Sequence, residues 1–252
     1  MRISAVVPTY NEAENLPGLV SALFALPLEI SVLVVDDNSP DHTGDVADEM
    51  ARRDPRLKVI HRRAKDGLRS AYLTGIGRVL RDGTNAVLQM DADLSHDPRK
   101  IPELVAGLMK ADVVLGSRYI PGGSLDDKWP RWRRGLSAFG NMYARTILGL
   151  PITDATTGFR LWNADTLAGM PLDRIQSSGY VFLVEMLYIA HCLEYRIAEV
   201  PIHFYERQSG RSKMSVGIQA EAAVRVWQVW WQHRDLRRRG RKARLATPFG
   251  ST

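Results

Sequence analysis

The stretch that decides the fold is ISAVVPTYNEAENLPGLVSALFALPLEISVLVVDD, residues 3–37. It starts with an apolar run at 3–8 and closes with another at 29–37. The segment between them, 11–26, has the pattern of a helix with acidic residues in its first turn. Strands that are apolar on both faces are typical of parallel sheets covered by helices, so this stretch predicts a β–α–β unit.

The alternation of strand and helix continues to residue 120 or so. It predicts helices at 43–54, 67–83 and 98–110, and strands at 57–62, 85–91 and 111–118. We therefore predict an α/β protein with a mostly parallel sheet, whose ligands bind at the carboxyl ends of the strands.

After residue 120 the alternation weakens. A segment rich in glycine, proline and charge, 120–135, is predicted to be a functional loop, because structureless loops of this length rarely serve as plain connections. The following segments have the patterns of a helix at 136–148, an irregular stretch at 151–162, a helix at 179–193, a strand at 196–204 and a polar loop at 205–215. With no visible repeat or second domain, we predict one domain over 1–215, an amphipathic helix over 216–239 and a disordered basic tail over 240–252.

The composition excludes several classes of protein. With 45% hydrophobic and 25% charged residues, it is ordinary for a soluble chain. Cys192 is the sole cysteine, which excludes a disulfide framework and suits a reducing compartment. The N-terminus lacks a signal-peptide pattern, and the longest nearly apolar stretch, 23–35, is too short to span a bilayer. The net charge of +6 resides in residues 234–252, which carry seven basic side chains and one acid.

A cluster of carboxylates follows the fourth predicted strand, in QMDADLSHDP at residues 89–98. Asp91 and Asp93 are two positions apart, so an extended backbone would point both side chains the same way. Neighbouring carboxylates repel unless a cation lies between them, and oxygen ligands favour Mg²⁺ or Mn²⁺ over zinc. The alternative is an acid-rich turn before a helix, with Asp97 as its N-cap. We assign the cap to Asp97 and predict a metal site at the other two acids.

Two further polar clusters end predicted strands, PTYNE at 8–12 and VVDDNSPD at 34–41. In a parallel sheet they lie on the same rim as the carboxylate pair. A nucleotide bound there would meet Asp36 or Asp37 as acceptors for its base or ribose. The chain has neither a G-x-G-x-x-G motif nor a Walker P-loop, so we expect a diphosphate to be held through the metal.

These motifs resemble a known family. In order and spacing, VVPTYNEAENL, VLVVDDNSPDHTGDV, QMDADLSHDP, VLGSRY and TDATTGFR resemble the inverting family-2 glycosyltransferases of the GT-A fold, which is a Rossmann-like, mostly parallel sheet flanked by helices. The segments RRGLSAFGN and ERQSGRSKM narrow the resemblance to the polyprenol (dolichol) monophosphate mannose synthases, over residues 2–225.

The resemblance implies a role for each matching residue. Contacts to the donor, GDP-mannose, would come from Pro8, Tyr10, Glu12, Asp37, Asp91, Ala92, Arg207 and Lys213. The resemblance also implies that Asp91 and Asp93 hold the divalent cation, Mg²⁺ or Mn²⁺. The acceptor phosphate would bind Arg118, Arg133 and Ser137, with Asp93 and both arginines as the catalytic residues. Ser95 stands where relatives often have glutamine as a further metal ligand, so its shorter side chain would reach the metal through water.

The chemistry of the acceptor agrees with these roles, because a phosphate is already anionic and needs no general base. Positive charge on both sides of the sugar would bring the two anions together. Arg134 is instead predicted to be a solvated loop charge. Arg160 and Asp154 are expected to brace TDATTGFR as an ion pair, and Glu185 to be a satisfied buried acid. A role in the site is the alternative for these last three.

The last helix is predicted to be amphipathic. One face carries Ala220, Ala223, Val224, Trp227, Trp230 and Trp231, and the other Glu221, Arg225, Gln228 and Gln232. Tryptophans followed by arginines are typical of a helix at an anionic lipid interface. The alternatives are an integral-membrane protein partner, or a Trp face packed on the domain beside a disordered tail.

The resemblance and the residues together predict transfer of mannose from GDP-mannose to a polyprenyl monophosphate, with inversion. We expect a cytoplasmic enzyme, peripheral on the inner face of the cell membrane, that does not bind nucleic acid. The alternatives are the same fold with UDP-glucose or another donor, and a non-catalytic membrane adaptor.

Overall fold

A computed structural model describes residues 1–206 and 216–239, with side chains for 1–206 and 223–237. The strands are β1 (Ile3–Thr9), β2 (Ile30–Asp36), β3 (Leu57–His61), β4 (Ala86–Gln89), β5 (Val113–Ser117), β6 (Ser124–Leu125), β7 (Arg160–Asn163), β8 (Ile197–Pro201) and β9 (His203–Phe204). The helices are α1 (Leu16–Phe24), α2 (Thr43–Arg53), α3 (Leu68–Arg81), α4 (Ile101–Leu108), α5 (Arg131–Leu148), α6 (Ala164–Ala168), α7 (Gly179–Cys192), α8 (Val216–Gln232) and α9 (Arg234–Arg239).

Within these residues, the main sheet has the strand order β3-β2-β1-β4-β7-β5-β8. All its neighbouring pairs are parallel except those of β7, which runs antiparallel to both β4 and β5. This confirms the predicted α/β class and mostly parallel sheet. The stretch 151–162 was predicted to be irregular throughout, which is wrong from Arg160 onwards, because β7 lies in the centre of the sheet.

Helices cover both faces of the sheet and form two hydrophobic cores. Alternate residues of β1 face opposite sides: Val6 belongs to the core that contains residues of α3, α5 and α7, and Val7 belongs to the core that contains residues of α1 and α4. Gly75 of α3 lies so close to β1 that an added Cβ would stand 2.4 Å from Cγ1 of Val6. Glycine at this position therefore sets the depth at which α3 packs on the sheet.

The segment predicted to be a loop at 120–135 is partly ordered into regular structure. It contributes β6, which pairs in parallel with β9, and α5 begins within it at Arg131. The predicted strand at 196–204 is correspondingly divided, because β8 joins the main sheet and β9 joins β6. The long loop is thus held in place by a second, two-stranded sheet.

The C-terminal segment is also divided, where a single helix over 216–239 was predicted. Helix α8 ends before His233, which is fully buried and lies 2.8 Å from Glu185 through Nε2 and Oε1. Burial alone would raise the pKa of Glu185, but hydrogen bonds from His233 and Ser177 outweigh it and lower that pKa. The acid predicted to be satisfied in the core therefore anchors the junction of α8 and α9.

Candidate functional site

The carboxyl ends of β1, β2 and β4 meet at one edge of the sheet. Thr9 and Asp36 are paired at the ends of β1 and β2, and β4 lies on the other side of β1. The three polar clusters singled out in the sequence therefore lie on one rim. Asp36 is used for structure there, because its carboxylate accepts hydrogen bonds from the hydroxyls of Thr9 and Ser39 at 2.9 and 2.6 Å.

Asp37 is buried and fixes the segment 62–67 against this rim. Its carboxylate accepts a hydrogen bond from Nη1 of Arg62 at 2.7 Å and another from the backbone amide of Gly67 at 2.8 Å. Arg62 also donates to Oγ of Ser70 at 2.7 Å. The nucleotide contact implied for Asp37 stays a prediction, and the structure adds a framework role that the sequence did not indicate.

The PTYNE cluster places an aromatic ring and a carboxylate beside that segment. Nζ of Lys65 lies 3.5 Å from the centroid of the Tyr10 ring, within the range of a cation–π contact. Glu12 accepts a hydrogen bond from Nδ2 of Asn15 at 2.8 Å, and Pro8 pairs with Val35 in the sheet. Lys65 was not singled out from the sequence, because nothing local to an exposed loop lysine shows which ring it covers.

Asp93 is buried, and its orientation is set by Ser95. Strand β4 ends at Gln89, so the predicted extension to residue 91 is wrong, and the chain bends at residues 92–94, which include Asp93. Oδ1 of Asp93 accepts hydrogen bonds from the amide and the hydroxyl of Ser95 at 3.1 and 2.6 Å. Leu94 adopts a positive φ of 59°, which turns the chain back within these residues. Ser95 thus orients the carboxylate that precedes it, and Ala92 between the two acids is buried.

Asp91 lies against the TDATTGFR segment. A Cβ placed on Gly158 would stand 3.4 Å from both carboxylate oxygens of Asp91. Burial and then the negative charges of Asp91 and Asp93 raise the pKa of the buried Tyr72 hydroxyl well above its ordinary value. The two acids therefore create a region of negative potential on the rim.

The side chains of this region suit a hard divalent cation, because the carboxylates of Asp91 and Asp93 offer oxygen ligands. Among the described residues there is no group of three or more His, Cys, Asp or Glu side chains able to hold a metal. A cation bound by two carboxylates keeps coordination positions for water or for phosphate oxygens, as Mg²⁺ does in nucleotide sites. The residues fit a metal shared between protein and substrate.

Arg118 forms a buried ion pair with Asp154. Its Nε and Nη2 atoms donate to the two carboxylate oxygens at 2.7 and 2.8 Å, and Nη2 also donates to Thr156 at 2.7 Å. Burial alone would lower the pKa of Arg118 and raise that of Asp154, but their mutual attraction reverses both shifts. The predicted ion pair between Arg160 and Asp154 is therefore wrong, because Arg118 occupies that carboxylate.

Arg160 is fully buried and donates to backbone carbonyls. It contacts the carbonyl oxygens of Thr157, Leu183 and Ala155 at 2.8, 2.6 and 3.0 Å. Burial lowers its pKa to about 9, against the opposing attraction of Asp154. Arg160 thus braces the TDATTGFR segment as expected, through carbonyl groups instead of a carboxylate.

Arg133 lies on the first turn of α5, between an aromatic ring and an acid. Its guanidinium carbon is 3.8 Å from the centroid of Trp129, and Nη1 is 3.0 Å from Oε1 of Glu206. Arg134 is not a solvated loop charge as predicted, because its Nε and Nη2 atoms donate to the carbonyls of Trp129 and Asp126. It helps to fold the preceding loop onto α5.

The other predicted acceptor contact, Ser137, is hydrogen-bonded to the residue that follows Arg118. The hydroxyl of Tyr119, the residue after Arg118, donates to Oγ of Ser137 at 2.8 Å. The donor contacts predicted at Arg207 and Lys213 lie outside the described residues. The Tyr119 ring, whose centroid lies 5.2 Å from the guanidinium carbon of Arg118, thus contacts both predicted acceptor residues.

The acid segment and the end of β9 are directly linked. The amide of Tyr205 donates to the carbonyl of Ser95 at 3.1 Å, and His96 forms a β-bridge with Phe204. The Phe204 ring lies 5.3 Å from the guanidinium of Arg118 and 5.7 Å from the Trp129 ring. Phe204 therefore lies between the buried arginine and the aromatic ring on which Arg133 stacks.

Helix α8 presents an apolar face to the exterior. Its exposed large side chains are Val224, Trp227, Trp230 and Trp231, and α5 adds Phe139 and Met142. The two helices are joined by the Trp227 indole, which donates to the Tyr143 hydroxyl at 3.1 Å. Val226 and Val229 are buried on the domain side. The alternative in which the Trp face packs on the domain holds for the Trp227 indole but not for Val224 and Trp231, which are 60% and 61% exposed. No described helix is long and apolar enough to cross a membrane.

Comparison with known proteins identifies relatives along most of the chain. The model of the family described as "Glycosyl transferase family 2" matches residues 4–167. An undecaprenyl-phosphate mannosyltransferase of Micrococcus luteus is 48% identical over 90% of this chain and 93% of its own. A polyprenol monophosphomannose synthase of Mycolicibacterium smegmatis is 42% identical over 89% of this chain and 85% of its own.

Solved structures share the fold at low identity. Glucosyl-3-phosphoglycerate synthase of Mycobacterium tuberculosis, crystallised with Mn²⁺, UDP and glucosyl-3-phosphoglycerate, superposes with a TM-score of 0.63 at 17% identity. The match covers 90% of this chain and 78% of that one. It shows that this chain shares the arrangement of strands and helices of that protein.

Proposed function

This chain belongs to glycosyl transferase family 2, and from that premise we propose that it transfers mannose from GDP-mannose to a polyprenyl monophosphate. The observation that carries the proposal is the identity of 48% and 42%, over about nine-tenths of the chain, to two polyprenyl-phosphate mannosyltransferases. The acidic rim and the two arginines supply charges that such a reaction needs. The product is the β-linked mannosyl phosphate ester, formed with inversion, together with GDP.

The chemistry requires no general base. The acceptor is a phosphate monoester, which carries about 1.5 to 2 negative charges at neutral pH. One of its oxygens attacks C1 of mannose from the face opposite the leaving group, and the bond from C1 to the diphosphate breaks with its electron pair on GDP. The protein must bring two anions together, so catalysis consists mainly of alignment and electrostatic stabilisation.

On the donor side, Asp91 and Asp93 would hold a divalent cation, Mg²⁺ or Mn²⁺. When bound, the cation would neutralise negative charge on the departing diphosphate. Ser95 keeps the Asp93 carboxylate oriented through hydrogen bonds of 2.6 and 3.1 Å. The Mn²⁺ in the glucosyl-3-phosphoglycerate synthase complex supports a divalent cation in this fold.

Around the nucleotide, Pro8, Tyr10, Glu12 and Asp37 would form the binding surface, with Arg207 and Lys213 adding positive charge. On the acceptor side, Arg118, Arg133 and Ser137 would bind the phosphate. Charge-assisted hydrogen bonds of this kind contribute about 1.5–3 kcal/mol each. These assignments follow the family resemblance, and the position of Tyr119 beside both Arg118 and Ser137 supports those two.

The exposed faces of α5 and α8 would contact the membrane in which the acceptor is anchored. Trp227, Trp230 and Trp231 are 53%, 37% and 61% exposed, and α9 and the residues after it carry the seven basic side chains of 234–252. Interfacial tryptophans beside a basic cluster favour a surface of anionic lipid. We place the protein on the cytoplasmic face of the cell membrane, where a nucleotide sugar is available.

The test is a donor screen with purified full-length protein, a short polyprenyl monophosphate and either Mg²⁺ or Mn²⁺. Labelled GDP-mannose should give a labelled lipid, and chelation of the metal should abolish it. UDP-glucose should give little product. A preference for UDP-glucose would overturn the donor assignment, and no transfer from any donor with either metal would favour the adaptor alternative.

A further inference from the structure

Arg133 and Arg118 are each paired with a carboxylate, but the two pairs differ in exposure. The side chains of Arg118 and Asp154 are 8% and 0% exposed, whereas those of Arg133 and Glu206 are 20% and 32% exposed. Arg118 makes a two-pronged contact with its acid, while Nη1 of Arg133 is shared between the two Glu206 oxygens at 3.0 and 3.4 Å. Breaking a buried pair leaves an uncompensated charge, whereas a partly exposed pair is weak. The pair of Arg133 and Glu206 is therefore the exchangeable one.

The backbone around Glu206 is held in place, so exchange can occur by side-chain movement alone. The amide of Glu206 donates to Oδ2 of Asp126 at 3.0 Å, and the amide of Asp126 donates to the carbonyl of Phe204 at 2.9 Å. Glu206 also lines a cavity of about 320 Å³ that Arg99 and Lys128 line as well. A carboxylate displaced from Arg133 thus has space and other cations nearby.

The Trp129 ring keeps the guanidinium in position during such an exchange. Arg133 stacks 3.8 Å from its centroid, and Trp129 is itself fixed edge-on against Phe204 at 5.7 Å. A stacked guanidinium retains its planar set of donors for an incoming anion. The carboxylate can therefore change while the arginine stays.

We propose that Glu206 is a positioning residue that holds Arg133 until the acceptor phosphate displaces it, and that takes Arg133 back after transfer. This inference rests on the proposed function. The phosphate monoester of the acceptor displaces Glu206 from Arg133. The phosphodiester of the product is in turn displaced from Arg133 by Glu206.

The acceptor and the product differ in charge, and this difference determines how well each one competes with Glu206 for Arg133. The acceptor monoester carries close to two negative charges, and it forms the new bond to C1 with an electron pair from one of its oxygens. The bond between C1 and GDP breaks, its electron pair leaves with GDP, and no proton moves. The lipid phosphate becomes a diester with one negative charge, and the charge that it loses appears on GDP. Glu206, also singly charged, competes better with the product than with the substrate.

The experiment compares Glu206→Gln with the wild-type full-length protein. The substitution keeps the size of the side chain and removes the competing charge. Weak, partly exposed ion pairs correspond to a factor of about two to five in binding. We expect the KM for a short polyprenyl monophosphate to fall by about that factor, and inhibition by the mannosyl diester product to strengthen by at least as much. The matched control is Asp127→Asn, which removes a carboxylate paired with the neighbouring Arg134 at 3.2 Å and should change neither value.

A double-mutant comparison shows whether the effect passes through Arg133. Arg133→Gln should raise the acceptor KM, and adding Glu206→Gln to it should produce no further change. An unchanged or increased acceptor KM in Glu206→Gln would overturn the proposal, and so would an equal effect of that substitution with and without Arg133.

Direct binding separates this inference from the proposed function. Calorimetric titration with the short polyprenyl monophosphate, without donor, should show tighter binding to Glu206→Gln than to wild type. If the wild type transfers no mannose but this difference is present, the donor assignment fails and the role of Glu206 stands. If transfer occurs and Glu206→Gln binds the monoester no more tightly, the role of Glu206 fails and the proposed function stands.

Discussion

The buried pair of Arg118 and Asp154 offers a direct test of how the site is built. The perturbation is Asp154→Asn, which keeps the shape of the side chain and removes its charge. In the native protein the Asp154 carboxylate accepts hydrogen bonds from the amide, Nε and Nη2 of Arg118 at 3.1, 2.7 and 2.8 Å. An amide group in its place leaves Arg118 as a buried cation that lacks its counter-charge.

The expected loss of stability is large. Removing one partner of a buried ion pair costs about 3–5 kcal/mol. The control is Asp54→Asn, because Asp54 accepts from Nη2 and Nε of Arg56 at 2.7 and 3.1 Å in a similar two-pronged contact. That pair lies at the surface, where solvent screens both charges, so the control should unfold close to the wild-type midpoint.

The assay is urea-induced unfolding of the three proteins, followed by circular dichroism at neutral pH. If Asp154→Asn lowers the free energy of unfolding no more than Asp54→Asn does, the reasoning is refuted. That result would mean that burial does not increase the cost of removing one partner of an ion pair. The pH dependence has a definite sign. The folded-state pKa of Asp154 is lowered, so its stabilisation is complete above the unfolded carboxyl pKa of about 3.9 and is lost as pH falls through the folded value. The gap between wild type and Asp154→Asn should therefore narrow in acid.

Three further outcomes are expected. Asp93→Asn keeps an acceptor for Ser95 but removes a charge, so transfer should be abolished while the unfolding midpoint changes little, and near-normal turnover would refute the metal assignment. Ser95→Ala, which removes an orienting hydrogen bond, should raise the Mn²⁺ concentration needed for half-maximal transfer by about 10- to 100-fold. Val224→Ser combined with Trp231→Ser should weaken sedimentation with anionic vesicles, because these side chains are 60% and 61% exposed on α8. Met109→Ser, which is 79% exposed just after α4, is the control, and equal sedimentation of the two variants would contradict a membrane role for α8.

Hydrophobic periodicity was sufficient to predict the class of fold. The apolar runs at 3–8 and 29–37 became neighbouring parallel strands, as continuous burial on both faces requires. The same reasoning placed the polar clusters on one rim, because the carboxyl ends of parallel strands share an edge. These inferences depend on local pattern and a general rule of topology, and both are readable from a single sequence.

The position of β7 could not be predicted in the same way. Its residues, RLWN at 160–163, are too few to show a period, and they lie between β4 and β5 through long-range antiparallel pairing. The start of α5 at Arg131 was hidden for a different reason. Its first turn is rich in arginine, and no local pattern predicts that the Arg134 side chain folds back onto the preceding loop.

Partners of charged residues were the least predictable feature of the site. Arg160 is six residues from Asp154 in the sequence, yet it binds backbone carbonyls, while the carboxylate pairs with Arg118, which lies 36 positions away. Carbonyl acceptors have no signature in a sequence, since every residue carries one. Which of two arginines reaches a given acid is decided by the packing of β5 and β7 in the core.

The two arginines assigned to the acceptor phosphate are therefore not equivalent. A charge-assisted hydrogen bond to phosphate contributes about 1.5–3 kcal/mol, which is less than the approximate cost of 3–5 kcal/mol for separating Arg118 from its buried acid. One such bond does not offset the separation of Arg118 from Asp154, so a contact that keeps the ion pair intact must use donors that the pair leaves over. Nε and Nη2 are committed to Asp154 and Thr156, which leaves Nη1 as the donor that can reach a substrate. Arg118 would then be a cation whose position and orientation are fixed by Asp154. Arg133, whose pair with Glu206 is exchangeable, would bind or release the lipid phosphate according to the charge of that phosphate.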